Sequence, residues 1–228
     1  MNGDPPAALS PQAGYLADVT QPHGYTVLSL GDSTGVGVGA ESGGGYPQRL
    51  LRRLAGVHPG ARLVMLAQSG ATTADVLEAQ LPRAKRSAAD LVLLGIGIND
   101  VGLQLPEESF SFNLEQIAVG LAAVRAPVVI SNIPDLALAP VAQRLDRALY
   151  EKRIQLYNTH IEATAARHRF AHVDMFAASR RLFGTPGLFC ADGFHPSAAG
   201  YEAWADAMWP AVRQIAAGIA AAAGAGPG

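Results

Sequence analysis

Five short apolar segments recur along the chain, and longer segments in which apolar residues follow a helical period separate them. The short segments are residues 25–30 (YTVLSL), 61–67 (ARLVMLA), 91–96 (LVLLGI), 127–132 (PVVISN) and 170–173 (FAHV). The first, third and fourth are apolar at nearly every position. That pattern is typical of strands covered on both faces, as in a parallel sheet.

The longer segments predict five helices, at residues 46–54, 73–86, 109–124, 141–167 and 197–219. Apolar residues three, four or seven positions apart mark the side of each helix that should face the core. These are Leu50, Leu51 and Leu54; Leu114, Ile117, Leu121 and Val124; Leu145, Leu149, Leu156 and Ile161; and Trp204, Met208, Val212 and Ile215. Arg49, Arg52 and Arg53 are expected to point outward, and Thr72 or Thr73 to cap the second helix.

Strands that alternate with helices predict an α/β fold, a three-layer α/β/α sandwich around a parallel sheet of about five strands. Right-handed crossovers then place the carboxyl ends of the strands along one edge of the sheet, where ligands bind in such folds. The 228 residues suit one domain, predicted at residues 24–219. Residues 1–23, with four prolines, predict an extended arm, and residues 220–228 predict a low-complexity tail that frays.

Composition narrows the possible functions. Hydrophobic residues make up 49% of the chain, and the formal net charge is -2, which argues against a nucleic-acid partner. A single cysteine excludes an intramolecular disulfide and leaves no thiol-rich zinc site. No apolar run reaches the length of about 18 residues that spans a bilayer, so we expect no integral membrane association. No segment resembles a signal peptide, so a cytoplasmic location is expected.

Polar residues follow the strands where this fold places its ligands. The first strand leads into Asp32 and Ser33, the second into Gly70, and the third into Asn99. His195 stands just before the last predicted helix. Serine is a weak nucleophile that needs an adjacent base, and an imidazole, with an ordinary pKa of about 6.5, suits that function.

The segments GDST (residues 31–34), the glycine at position 70, GIND (97–100) and DGFHP (192–196) resemble the four sequence blocks of the SGNH, or GDSL-type, hydrolases. They occur in the family's order and at its usual separations, and the resemblance covers residues 26–204. It implies a flavodoxin-like fold and hydrolysis of esters or thioesters without metal or organic cofactor. One departure is Thr34, where the family often has leucine.

The resemblance implies that Ser33 is the nucleophile and His195 its base. Asp192, three residues before the histidine, can accept a hydrogen bond from the far ring nitrogen and so orient the imidazole. The implied oxyanion hole consists of the backbone N–H groups of Ser33 and Gly70 and the side-chain amide of Asn99. We expect Asp100 to be structural.

Several of these segments, and two further residues, also allow other interpretations. Residues 31–33 could form an ordinary helix cap, because Asp and Ser favour that position. Residues 31–35 match the nucleophile elbow of α/β-hydrolases, but too few residues precede them for that fold. Residues 35–40 match a dinucleotide-binding fingerprint, but Gln68 stands where an acidic residue is required. His172 and Asp174 could form half of a metal site without a third ligand.

The sequence thus predicts a serine esterase that hydrolyses carboxylic ester, or thioester, bonds of a small molecule through an acyl-enzyme. Alternatives on the same scaffold are a carbohydrate deacetylase, a lipase or phospholipase, and a non-catalytic binding module. The substrate pocket is expected among four loops, at residues 43–47, 101–112, 135–144 and 182–189. Their Leu, Phe and Pro content favours an apolar group.

Overall fold

The computed structural model describes residues 24–144, 146–182 and 184–224. Within them, five parallel strands form one sheet in the order β2-β1-β3-β4-β5. The strands are β1 (Thr26–Gly31), β2 (Arg62–Met65), β3 (Leu91–Gly95), β4 (Val128–Ser131) and β5 (Ala171–Val173). β1, β3 and β4 are buried along their whole length, which confirms the prediction of strands covered on both faces.

Helices cover both faces of the sheet. They are α1 (Ser33–Val36), α2 (Tyr46–Leu54), α3 (Thr73–Asp75), α4 (Leu81–Ala84), α5 (Ile98–Gly102), α6 (Glu107–Leu121), α7 (Arg147–His168), α8 (Met175–Arg181) and α9 (Ala198–Gly224). α2 packs against α9 in one layer, and α6 packs against α7 in the other. The predicted three-layer α/β/α sandwich is therefore confirmed.

Several helix boundaries differ from the predicted ones. The helix predicted at residues 73–86 consists of α3, a π-helical turn (Val76–Gln80) and α4. The helix predicted from residue 141 begins at Arg147, after a 3₁₀ segment (Pro140–Arg144). α9 continues to Gly224, so the first part of the predicted fraying tail is helical. The predicted arm at residues 1–23 lies outside the described residues, and α8 was not predicted.

The predicted apolar face of α2 is confirmed, but the predictions for Arg49 on α2 and for two leucines on α7 are wrong. Arg49 is buried rather than outward, because Glu202 on α9 accepts a hydrogen bond from its Nη1 at 2.6 Å. The backbone oxygens of Gly44 and Ser42 also accept from this guanidinium, so the buried charge is satisfied. On α7, Leu149 and Leu156 are exposed instead of facing the core.

The buried side of α7 is formed by Ile154, Tyr157, Ile161 and Ala165. At about 100° per residue, Leu149 and Leu156 lie on the opposite side of the helix, whereas Ile161 of the predicted stripe is buried. Leu145, the first residue of that stripe, lies outside the described residues. The stripes predicted on α6 and α9 are confirmed, with Ile215 only partly covered. Among the described residues, no helix is both long and apolar enough to cross a membrane.

Candidate active site

Ser33 lies at the turn that follows the central strand. Gly31 ends β1 with a φ of +139°, and a Cβ there would approach the carbonyl oxygen of Gly95 to 2.0 Å, so only glycine fits. Asp32 caps α1, since its Oδ1 accepts from the N–H of Thr34 at 2.9 Å and from the Thr34 hydroxyl at 2.8 Å. Ser33 is the first residue of α1 and is 5% exposed.

The imidazole of His195 lies against this serine although 162 positions separate them in sequence. The distance from His195 Nε2 to Ser33 Oγ is 3.0 Å, and that from His195 Nδ1 to Asp192 Oδ2 is 2.7 Å. The three side chains therefore form an unbroken hydrogen-bonded series, as a nucleophile, a base and a carboxylate that orients the base would.

A compact loop holds the histidine and the aspartate in this arrangement. Asp192 Oδ1 accepts from the backbone N–H groups of Phe194 at 2.8 Å and His195 at 2.9 Å. The N–H of Cys190 donates to the carbonyl oxygen of His195 at 2.9 Å and closes the loop. Burial alone would raise the pKa of the Asp192 carboxyl, but the hydrogen bonds from His195 and the backbone outweigh it, and the pKa lies below its usual range. The carboxyl is ionised wherever the protein is folded at ordinary pH.

The three candidate oxyanion donors lie shortly after β1, β2 and β3, in α1, in a loop and in α5 respectively. Asn99 Nδ2 donates to the carbonyl oxygen of Ala71 at 2.8 Å, which ties α5 to the loop after β2. Gly70 has a φ of +80°, a backbone conformation that favours glycine. The N–H groups of Ser33 and Gly70 donate to no acceptor in the described part of the chain.

Asp32 and Asp100 are buried carboxyl groups that hold the segments beside the site: Asp32 binds Thr34, and Asp100 binds Thr73. Asp100, which is fully buried, accepts from the hydroxyl of Thr73 at 2.6 Å and from its N–H at 3.1 Å. Burial raises the pKa of the Asp32 carboxyl to about 6, against the opposing hydrogen bonds from Thr34. Asp32 therefore titrates close to the serine, and its Oδ2 has no hydrogen-bond partner among the described residues.

A cavity of about 320 Å³ opens beside His195. The loop after β4, α8, residues 184–189 and the start of α9 supply most of its lining, which includes Leu136, Leu138, Met175, Leu182, Leu188, Phe189, Phe194 and Trp204. Two of the four predicted pocket loops, at residues 135–144 and 182–189, contribute to it. Those at residues 43–47 and 101–112 do not, because the cavity lies on the β4–β5 side of the sheet. Sequence reasoning missed α8 and Trp204.

Asp174 and Cys190 both have structural contacts. Asp174 Oδ1 accepts from the N–H of Ala177 at 2.9 Å and from Asn132 Nδ2 at 3.1 Å, so it caps α8. Among the described residues, no three His, Cys, Asp or Glu side chains cluster as a metal site would require. A backbone hydrogen bond from Asp192 works to lower the pKa of the Cys190 thiol. The hydrogen bond to the Asp192 carboxylate and burial outweigh it, so that pKa is raised and the thiol stays neutral.

Relatives of known structure share this arrangement of strands and helices. The chain is 28% identical over 192 residues to the esterase TesA of Pseudomonas aeruginosa, an alignment that spans 83% of this chain and 89% of TesA. The crystal structure of TesA superposes with a TM-score of 0.69 at 27% identity, over 83% of this chain and 99% of the other.

Two more distant structures show the same fold. LAE5, described as an alpha/beta hydrolase enzyme from the metagenome of Lake Arreo, has a TM-score of 0.69 at 24% identity, over 84% and 96% of the two chains. Axe2, an acetylxylan esterase of Geobacillus stearothermophilus, has a TM-score of 0.65 at 23% identity, over 83% and 94%. The family model for GDSL-like lipases and acylhydrolases matches residues 29–203. This chain therefore belongs to the GDSL-like lipase/acylhydrolase family.

Proposed function

We propose that this protein is a serine esterase that hydrolyses carboxylic ester bonds through an acyl-enzyme, with Ser33 as nucleophile and His195 as base. The observation that carries the proposal is the 3.0 Å contact between Ser33 Oγ and His195 Nε2. A base within this distance can take the hydroxyl proton as the oxygen attacks. Membership of the acylhydrolase family supports the same reaction class.

In the first half of the reaction, Ser33 Oγ forms a bond to the carbonyl carbon of the ester while its proton passes to His195 Nε2. Asp192 stabilises the imidazolium through Nδ1 and does not itself take the proton. The bond to the alcohol oxygen then breaks, and His195 returns the proton to that oxygen. A water molecule repeats the sequence on the acyl-enzyme, which releases the acid and restores Ser33.

The negative charge that develops on the carbonyl oxygen is stabilised by the N–H groups of Ser33 and Gly70 and by Asn99 Nδ2. Replacing Asn99 by alanine removes one donor, and we expect kcat to fall about 10²–10³-fold, as for the loss of one oxyanion donor elsewhere. Steady-state kinetics with p-nitrophenyl butyrate measure this effect. The control is Asn113→Ala, which removes an amide on α6 at 3.4 Å from the Thr73 hydroxyl. Equal activity of the Asn99 variant and the wild type would contradict the assignment.

The cavity beside His195 favours esters with an apolar group over acetylated sugars. Its lining is mainly aliphatic and aromatic, and each methylene group buried there contributes about 0.8 kcal/mol, a factor of about 4 in binding. We therefore expect kcat/KM to rise at least tenfold from p-nitrophenyl acetate to the octanoate. A panel of esters from C2 to C16 tests this, with an acetylated xylo-oligosaccharide as the competing substrate. A preference for acetate or for the sugar would instead favour the deacetylase alternative, the activity named for Axe2.

A small-molecule ester is the expected substrate. Adding an acyl-thioester to the same panel tests whether the enzyme also hydrolyses thioesters. The cytoplasmic location stays a prediction from the sequence.

A non-catalytic binding module is disfavoured because all the positions that the reaction needs are occupied by competent residues, and Ser33 and His195 are in contact.

A further inference from the structure

We propose that Gln80 is a positioning residue for the nucleophile, and that its amide holds the end of β1 so that Ser33 faces the oxyanion donors. Gln80 lies 49 positions after Gly31 and belongs to none of the four sequence blocks. The inference rests on the proposed function, since it assigns a residue that acts through Ser33 on the same reaction.

The amide of Gln80 binds both backbone polar groups of Gly31. Gly31 N–H donates to Gln80 Oε1 at 2.8 Å, and Gln80 Nε2 donates to the carbonyl oxygen of Gly31 at 2.8 Å. Gln80 is fully buried, as are both hydrogen bonds. A side chain that satisfies two buried backbone groups of one residue fixes that residue in position and in orientation.

Gly31 needs such a partner because regular pairing with β2 ends before it. The last register pair between β1 and β2 is Ser29 with Met65, and beyond it the described residues of the β2 side make only single hydrogen bonds to β1. The N–H of Gln68 still donates to the carbonyl oxygen of Gly31 at 3.1 Å, whereas the Gly31 N–H donates to Gln80 Oε1. Without Gln80, this N–H would be buried and unpaired, at a point two residues before the nucleophile.

The backbone at Gly31 is also closely confined from the β3 side. A Cβ at Gly31 would lie 2.0 Å from the carbonyl oxygen of Gly95, so the two strands approach each other without side chains between them. Gly31 is therefore held between Gly95 on one side and Gln80 on the other. Loss of the Gln80 contact frees only one of these sides, and we expect a shift of the turn rather than unfolding.

The segment that ends at Gln80 begins at a candidate oxyanion donor. Gly70 opens this segment, and Val76–Gln80 forms a π-helical turn, a rare element often found at functional sites. Gln80 is the last residue of this turn, and its amide contacts the end of β1. The contacts of Thr73 with Asp100 and of Ala71 with Asn99 hold the middle of the segment. Through Gln80, the segment that begins at Gly70 is hydrogen-bonded to Gly31, two residues before Ser33.

The first test replaces Gln80 by methionine, which keeps the length of the side chain and removes both hydrogen bonds. We expect kcat for p-nitrophenyl butyrate to fall about 10–100-fold with KM changed less than about twofold, because a displacement of about 1 Å in a reacting group costs up to about 10²-fold in rate. The rate of Ser33 labelling by a fluorophosphonate should fall by a similar factor. The matched control is Gln155→Met on the exposed side of α7, which should leave both rates within twofold.

The second test replaces Gln80 by glutamate and follows the ratio of variant to wild-type kcat against pH. A protonated carboxyl can accept from the Gly31 N–H and donate to its carbonyl oxygen, as the amide does, whereas an ionised one cannot donate. Burial keeps such a carboxyl protonated up to about pH 8 in documented cases. Near pH 6 we expect the kcat of the glutamate variant to lie within about threefold of the wild-type kcat. By pH 9.5 the ratio of the two kcat values should have fallen at least tenfold.

The results separate the positioning role from a purely structural one. A kcat of the methionine variant within twofold of wild type, or a glutamate ratio that stays constant with pH, would overturn the proposal. So would a fall in kcat that is fully accounted for by a smaller folded fraction, measured by circular dichroism at the assay temperature. An inactive wild-type enzyme whose Ser33 is not labelled would overturn the proposed function itself, and this inference with it.

Discussion

Replacing Ser33 by alanine is expected to lower kcat for p-nitrophenyl butyrate about 10⁴-fold or more. The alanine variant keeps the oxyanion donors and the pocket but has no oxygen that can form the acyl-enzyme. Losses of this size accompany removal of the nucleophile in unrelated serine hydrolases. Initial rates at saturating ester, corrected for spontaneous hydrolysis, measure the effect.

The control for this variant is Ser87→Ala. Ser87 follows α4, and its exposed hydroxyl donates to the carbonyl oxygen of Arg83 within that helix. The control variant should keep kcat within about twofold of wild type. The Ser33 variant should retain the thermal stability of the wild type to within a few degrees, since the lost hydroxyl has, among the described residues, a hydrogen bond to the imidazole of His195 alone. Retention of more than a few per cent of wild-type activity by the Ser33 variant would exclude it as the nucleophile.

Replacing His195 by alanine is expected to lower kcat by about 10⁴-fold, because Ser33 then lacks a base and the alcohol lacks a proton donor. The residue lines the pocket, so added imidazole can reach the vacated space and should restore part of the activity in a concentration-dependent way. The control is His160→Ala on α7, where the ring pairs with Glu107 at 2.6 Å. Full activity of the His195 variant would contradict the proposed base.

The same proposal fixes the direction of the pH dependence. Neutral imidazole is the active form, so kcat/KM of the wild type should fall as the pH is lowered and the ring takes up a proton. Asp32, whose carboxyl pKa is raised to about 6 by burial, also loses its charge as the pH is lowered. A constant kcat/KM down to pH 4 would contradict a histidine base.

The sheet and the grouping of the site residues could be predicted because each depends on local patterns. Buried parallel strands are apolar at nearly every position, as residues 91–96 and 127–132 are. Parallel strands also end at one edge of a sheet, so residues that follow β1, β2 and β3 must lie near each other. The position of His195 against Ser33 came from the family resemblance, and the structure brings the two side chains together.

Features that depend on contacts between distant segments could not be predicted from the pattern. Arg49 is charged and stands three and four positions before two other arginines, and its burial depends on Glu202 from α9 and on backbone oxygens before α2. Leu149 and Ile161 lie on opposite sides of α7, and packing against α6 and the sheet decides which side faces the core. The contact of Gln80 with Gly31 likewise joins segments that are 49 positions apart.

The substrate pocket illustrates the same limit. Its polar edge at His195 was predictable, whereas its apolar wall depends on α8, a short helix of seven residues without a clear stripe. Trp204 was assigned to the core face of α9, and it also lines the cavity while its ring stacks on Tyr46. One side chain thus serves both the core and the pocket, which periodicity alone cannot distinguish.

The most direct measurement is the site of covalent modification by a fluorophosphonate, mapped by mass spectrometry on the wild-type protein at neutral pH. A hydroxyl activated by an imidazole at 3.0 Å should react with one equivalent of the reagent, and loss of ester hydrolysis should follow the extent of labelling. We expect a single adduct on Ser33, formed at least 10³-fold more slowly in the His195→Ala variant. An adduct on another residue, or full esterase activity after Ser33 has been completely modified, would contradict the proposed nucleophile.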